Sequence, residues 1–212
     1  MIGIYGGTFD PVHYGHLRSA LEVKEALELE ELRFLPCGQP PHRRMPEAPA
    51  HQRLKMLELA LLHAAPGFRI DTRELDREGP SYMVDTLVSL REEVAGEPLC
   101  LILGMDAFAG LPAWHRWREL FDQAHIVVMR RPDAPELDID DAWAGLITGR
   151  RVTEKGRLRL KPAGLVYFVE VTQLAIAATQ IRRLIQAGKD PRYLLPDAVL
   201  DLIREQQLYR SL

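Results

Sequence analysis

Short apolar runs, spaced by longer amphipathic ones, leave this chain few folds to adopt. Ile2–Tyr5, Leu99–Leu103 and His125–Met129 are too brief for helices and apolar nearly throughout, the pattern of strands covered on both faces. Between them, apolar residues recur at helical spacing from about Tyr14 to Leu27, at Leu54, Leu57 and Leu61, and over Ser81–Val94, with Ser81 as a candidate N-cap. Glu31–Pro36, Phe68–Asp71 and Leu165–Val169 read as further strands, and two helices starting at Thr179 and Asp197 close the chain. This alternation predicts a doubly wound α/β fold, a mostly parallel sheet with helices on both faces, and a small helical annex over about 179–212. Its 212 residues are expected to form a single domain, 1–212. Sheets of this class bind ligands beyond the carboxyl ends of their strands, where the topology reverses.

Composition narrows the partners. A formal net charge of −3, with 47% hydrophobic and 27% charged residues, offers no global attraction to nucleic acid or anionic lipid. An anionic ligand must then be held by local positive groups. No apolar run approaches the length of a membrane span. The chain passes straight into a strand with no basic leader, and Cys37 and Cys100 lack metal-ligand spacing, so a cytoplasmic location with reduced thiols is expected. The basic stretch Arg150–Lys161 reads as a solvated loop or a charge-protected edge strand, without the aromatic interleaving of a nucleic-acid surface.

The first strand leaves through Gly6-Gly7-Thr8-Phe9-Asp10-Pro11-Val12-His13-Tyr14-Gly15-His16. Paired glycines let the backbone turn sharply and approach a ligand closely. A helix starting near Tyr14 points its free N–H groups back at that loop, a ready site for phosphate. His13 and His16 share one face of the first turn and can donate hydrogen bonds to oxygens whose charge grows in a transition state. Gly15 is expected to leave room for a flat ring or a ribose. A metal site from Asp10, His13 and His16 is the alternative, although no fourth ligand is evident. Further along, Asp106 follows a buried strand and could accept ribose hydroxyls. Arg182 is expected in the first turn of a helix capped by Thr179, where the dipole disfavours a cation unless an anion binds beside it.

The Gly6–His16 stretch resembles the signature of the nucleotidyltransferase superfamily marked by His-x-Gly-His, and in its full length that of the bacterial nicotinate-nucleotide adenylyltransferases. Other motifs of that family recur in order. Pro40-Pro41-His42-Arg43 is similar to its Pro-Pro-His-Lys/Arg loop, and Ser81–Thr86 to its Ser-Tyr-Thr-x-Asp-Thr segment, with Met83 where Thr is usual. Gly104-Met105-Asp106 is similar to Gly-x-Asp, and Trp114, next to His115, sits where the family carries a pyridine-stacking aromatic. Ala178–Arg182 is similar to the (Ser)-x-Thr-x-Ile-Arg motif, with Ala177 in place of Ser; Trp117 is left as structural.

The resemblance implies a Rossmann-like nucleotidyltransferase that joins ATP and nicotinate mononucleotide into deamido-NAD with release of pyrophosphate. It implies catalytic roles for His13, His16 and Arg182. ATP would be bound by Gly6, Gly7, Thr8, Phe9, His16, Gly104, Asp106, Thr179 and Arg182. Nicotinate mononucleotide would meet His42, Arg43, Tyr82, Met83, Asp106 and Trp114. Mg²⁺ is expected on the triphosphate, bound mainly through substrate oxygens and water, with no metal held by the protein itself. Nicotinamide mononucleotide or phosphopantetheine as acceptor, or a module that binds nucleotide without turnover, are the alternatives.

Overall fold

The computed structural model describes residues 1–40, 45–132, 141–172 and 174–210, among which seven strands form one sheet. The strands are β1 (Ile2–Gly7), β2 (Glu31–Pro36), β3 (Phe68–Ile70), β4 (Leu99–Gly104), β5 (His125–Arg130), β6 (Arg151–Val152) and β7 (Val166–Glu170). The helices are α1 (Tyr14–Leu27), α2 (Ala50–Leu61), α3 (Met83–Val94), α4 (Met105–Ala109), α5 (Leu120–Gln123), α6 (Asp141–Thr148), α7 (Ala178–Gln186) and α8 (Asp197–Glu205). All pairings are parallel, in the order β3-β2-β1-β4-β5-β7-β6. Ile2 of β1 faces Glu31 on one side and Leu99 on the other, so the winding reverses between β1 and β4. That reversal opens a crevice beyond the carboxyl ends of these two strands.

Alternating side chains feed two separate cores. Ile4, Leu101, Leu103, Ile126 and Val128 pack with Leu87 and Leu90 of α3 and Phe121 of α5. Tyr5, Ile102, Val127 and Met129 face the other way, onto Val23 and Leu27 of α1, Met56 and Leu57 of α2, and Val199 and Ile203 of α8. The doubly wound expectation holds, and α7 and α8 lie on the α1 and α2 side, where Ile181 joins the same core.

Several local expectations need correction. The N-cap of α3 is Tyr82, and the Ser81 hydroxyl instead accepts the backbone N–H groups of Gly38 and Gln39, both at 3.1 Å, fastening the loop after β2. Helix α7 begins at Ala178 behind Ala177, so Thr179 is not its cap and Arg182 falls in its second turn. The buried stripe of α2 is Arg53, Met56 and Leu57, with Leu54 and Leu61 half-buried beside it.

The basic stretch 150–161 contains the edge strand β6 and a short 3₁₀ segment, Lys155–Leu160. Its cations serve a helix end. Lys155 Nζ donates to the Ala26 carbonyl at 2.8 Å and Arg159 Nη2 to the Glu28 carbonyl at 2.9 Å, where the α1 dipole favours positive charge. Behind them, His125 Nε2 lies 3.0 Å from the Leu158 carbonyl and 2.9 Å from that of Lys161, while its Nδ1 accepts the Leu165 N–H at 3.0 Å. The ring is fully buried and burial lowers its pKa, so it is the neutral tautomer with hydrogen on Nε2. His125→Leu strands these buried backbone groups and should cost about 2–3 kcal/mol in urea denaturation, against less than about 1 kcal/mol for Lys155→Ala. A loss under about 0.5 kcal/mol at His125 would show that water replaces the ring.

Candidate active site

The loop leaving β1 turns over a cleft at the switch point. Gly6, Gly7, Thr8, His16, Gly104, Tyr82, Met83, Trp114 and His115 line it together with Cys37 and Glu74, around a volume of about 340 Å³. A second hollow, of about 510 Å³, lies between α7 and α8, away from the strand ends.

At the start of α1 the two imidazoles stack, with ring centroids 3.7 Å apart and planes at 26°. The backbone N–H of His13 donates to Nδ1 of His16 at 3.3 Å, so the His16 proton resides on Nε2. Burial brings His13 down to about 4. Burial, and then the neighbouring His13, hold His16 well below its ordinary value. Both rings are therefore neutral N–H donors at neutral pH, and Nδ1 of His13 is a buried atom without a hydrogen-bond partner.

Two glycines are explained by aromatic neighbours. A Cβ on Gly15 would lie 2.9 Å from Nδ1 and 3.0 Å from Cε1 of His13, so the space is filled by that imidazole and not by a ligand ring or ribose. A Cβ on Gly7 would lie 3.0 Å from the Phe9 ring. Phe9 itself has φ of 48°, is 1% exposed, and sits against Tyr5, Phe34 and His16, its centroid 5.1 Å from that of His16. Its side chain thus supports His16 from beneath and does not line the cleft.

The next residue ties the loop to distant chain. Asp10 is buried; its Oδ2 accepts the Glu47 N–H at 2.8 Å, and its Oδ1 accepts the Ala48 N–H at 3.1 Å and the Tyr209 hydroxyl at 2.6 Å. These contacts leave Asp10 poorly suited to hold a metal, and no cluster of three or more potential metal ligands exists among the described residues. Arg182 donates through Nη1 to the Asp10 carbonyl at 2.7 Å and through Nε to Glu47 at 2.8 Å. In this state the cation expected beside a bare helix dipole is instead neutralised by Glu47. Beneath the loop, the buried Arg53 donates to the carbonyls of Thr8 at 2.8 Å, Ala48 at 3.3 Å and Gly38 at 3.4 Å.

Part of the cleft wall is aromatic. Tyr82 and His115 pack with centroids 4.3 Å apart at 36°, beside the half-buried Trp114. Met83, the first residue of α3, reaches Gly6, where a Cβ would meet its Cε at 3.0 Å. Glu74 is buried and accepts the Thr86 hydroxyl at 2.8 Å, and burial raises its pKa. Trp117 packs edge-on to Trp143, centroids 4.9 Å apart, a packing role as expected.

Other expected positions are not gathered here. Asp106, in the first turn of α4, and Thr179 are exposed and do not line the cleft. His42 and Arg43 lie outside the described residues. Conversely, Arg53, Glu47, Glu74 and Tyr209 were not anticipated; only Arg53 left a trace, as a cation three and four residues before Met56 and Leu57 on a buried helix face.

A parallel sheet wound this way, with a cleft at its switch point, is of the ligand-binding doubly wound α/β class, and the comparisons with known proteins narrow it to nucleotidyltransferases. Residues 4–184 match the cytidylyltransferase-like family model. A protein of Methylococcus capsulatus named a probable nicotinate-nucleotide adenylyltransferase is 62% identical over 209 residues, 99% of both chains. One of the same name from Pseudomonas putida is 51% identical over 211 residues, covering 99% of this chain and 95% of the relative. The nicotinic acid mononucleotide adenylyltransferase of Plasmodium falciparum, solved with NaAD, shares the fold at a TM-score of 0.72 and 17% identity, over 98% of this chain and 96% of that one. The chain belongs to the cytidylyltransferase-like family, and within it to the group of the nicotinate-nucleotide adenylyltransferases.

The neutral imidazoles carry a pH signature. Their folded pKa lies below the unfolded value of about 6.5, so the unfolded chain binds more protons as pH falls. Their stabilisation is complete above about pH 6.5 and is lost on the way down toward about 4, the value for His13. Between pH 7.5 and 5.5 each such group should cost about 1.4 kcal/mol of unfolding free energy. Urea melts of wild type and His13→Gln should show a shallower pH dependence in the variant; identical slopes would mean that His13 titrates normally.

Proposed function

We propose that this protein transfers AMP from ATP to nicotinate mononucleotide, giving deamido-NAD and pyrophosphate. The observation that carries this reading is one cleft lined both by His16, a neutral imidazole stacked on His13 at a helix start, and by the aromatic group Tyr82, Trp114 and His115. A phosphate oxygen of the mononucleotide attacks the α-phosphorus of ATP, and the bond from that phosphorus to the bridging oxygen breaks as pyrophosphate leaves. No side chain is needed as a nucleophile, so positioning and charge stabilisation do the catalysis.

In this reading His16 donates from Nε2 to phosphate oxygens as charge shifts toward pyrophosphate, with His13 packed on its ring. Gly6, Gly7, Thr8 and Gly104 carry backbone close to ATP, while Phe9 acts only as a support. Arg182 exchanges Glu47 for the leaving group, and Asp106 and Thr179 meet ATP from exposed positions. The pyridine ring lies against Trp114, and the mononucleotide phosphate is met by His42 and Arg43. Its carboxylate is suited to the first-turn N–H groups of α3 at Met83 and Val84, which have no partner within their own helix. Backbone donors make the Met83 side chain compatible with a nicotinate substrate. Mg²⁺ enters with the triphosphate. A cytoplasmic setting is consistent with two free cysteines and with the finding that no helix among the described residues is long and apolar enough to cross a membrane.

Pyrophosphate release from ATP should be fast with nicotinate mononucleotide and slow with nicotinamide mononucleotide or phosphopantetheine. Activity on phosphopantetheine alone would reject the assignment. His16→Ala should lower kcat by about 10²-fold or more, the scale for one lost charge-stabilising donor. If only the KM for ATP rises, His16 binds substrate and does not stabilise the transition state. Trp114→Ala should weaken the mononucleotide by about 1–3 kcal/mol while leaving the KM for ATP nearly constant. Equal losses for both substrates would show a packing residue.

A further inference from the structure

Tyr209, late in the chain, packs against Asp10 under the candidate catalytic loop. After α8 the backbone turns through Gln207 and Tyr209, with φ of 52° and 63°, a left-handed conformation that costs energy for side chains of this size. The turn inserts the Tyr209 ring into the core beside Met56, leaving it 8% exposed. Its hydroxyl donates to Oδ1 of Asp10 at 2.6 Å, the shortest of the three hydrogen bonds that reach that carboxylate. Asp10 lies only three residues before His13, joined to it through the fully buried Val12, and its own carbonyl is gripped by Arg182 at 2.7 Å. Tyr209 is not among the residues that line the cleft.

We propose that Tyr209 is a positioning residue of the active site: its hydroxyl fixes the Asp10 carboxylate, and through it the backbone that presents His13 and engages Arg182. Two features support more than packing. A phenylalanine would fill the same space, so packing alone does not require the hydroxyl. Burial and the adjacent Asp10 also push the phenol far above its ordinary range, so it remains a donor at any working pH. The backbone N–H groups of Glu47 and Ala48 hold the carboxylate from the α2 side, and Tyr209 alone brings the chain terminus to it. With the hydroxyl gone, the buried Oδ1 keeps, among the described residues, only the Ala48 N–H, and the loop gains freedom at the residue that orients the imidazole pair.

This inference rests on the adenylyl-transfer reading for its kinetic consequence but not for its structural one, so the test has two readouts. Tyr209→Phe keeps the ring, and it should melt within a few degrees of wild type. Its kcat for pyrophosphate release should fall by between about 10-fold and 100-fold, the scale of a small misplacement of reacting groups. The KM for nicotinate mononucleotide, which meets the aromatic part of the cleft wall, should stay constant. The ¹⁵N and ¹H imidazole resonances of His13 and His16 should shift in the variant, while those of His125 should not. Adding Tyr209→Phe to Asp10→Asn should produce little further shift, because both act on one contact. Unchanged imidazole resonances, with or without a change in rate, would overturn the proposal, as would a fall in kcat matched by a proportional rise in the KM for nicotinate mononucleotide. If wild type releases no pyrophosphate, the functional reading fails, and the resonances still decide the positioning.

Discussion

A fully buried guanidinium underlies the geometry of this cleft. Arg53, 1% exposed, spends its donors on the carbonyls of Thr8, Gly38 and Ala48, which belong to the loops after β1 and β2 and to the approach to α2. Removing a cation from water costs several kcal/mol unless its donors are satisfied. Here backbone oxygens satisfy them, and the buried Asp10 supplies the nearby negative charge. Backbone acceptors cannot swing away as side chains do. The cation therefore stays bonded only in the conformation that holds both loops where they are, and any other arrangement leaves it buried and unpaired.

That constraint sets the electrostatics above it. The same exclusion of water that makes Arg53 expensive keeps His13 and His16 neutral. Neutral imidazoles do not attract anions at long range, so in the proposed reading that attraction falls to Arg182, which is held here by Glu47 and the Asp10 carbonyl. An arriving polyphosphate would then compete for that arginine with the Glu47 carboxylate at 2.8 Å and with the Asp10 carboxylate at 3.8 Å. Once seated against the imidazoles, it would also raise their proton affinity and strengthen the N–H bonds they donate to it. The site is thus preorganised in position, and its charge is completed by the ligand.

How much of this could be read from the chain depends on how local each interaction is. The strands were legible because burial on both faces forces apolar residues at successive positions, as in Leu99–Leu103. The α1 start was legible at Tyr14, since His13, Gly15 and His16 crowd around that position. The caps were not. Ser81 has the right side chain for capping but uses its hydroxyl on Gly38 and Gln39, more than 40 residues away in sequence. Gly15 could be read as a need for space, but its occupant, the His13 ring, follows only from the fold. Arg150–Lys161 showed its charge, while the α1 carbonyls that use Lys155 and Arg159 lie about 130 residues upstream. Arg53 and Tyr209 were hidden for the same reason, since the Tyr209 partner is 199 residues distant.

The wall of the cleft follows a consistent rule that bears on its choice of substrate. Cys37 is pushed up to about 11, chiefly by burial, and remains a thiol. Glu74 is shifted toward its neutral form by burial, although the Thr86 hydroxyl and Arg77 oppose the shift. An ionised Glu74 exposed to the cleft would repel a nicotinate carboxylate, and a thiolate at Cys37 would do the same. Desolvation keeps Cys37 a thiol and weakens the tendency of Glu74 to ionise, so in the proposed reading an anionic ring substituent at the start of α3 would meet N–H dipoles with less opposing charge beside it. An amide would gain less from that dipole, because it brings no charge to stabilise. In the proposed reading, discrimination between acid and amide would come from what burial removes from the wall as much as from the donors the helix supplies.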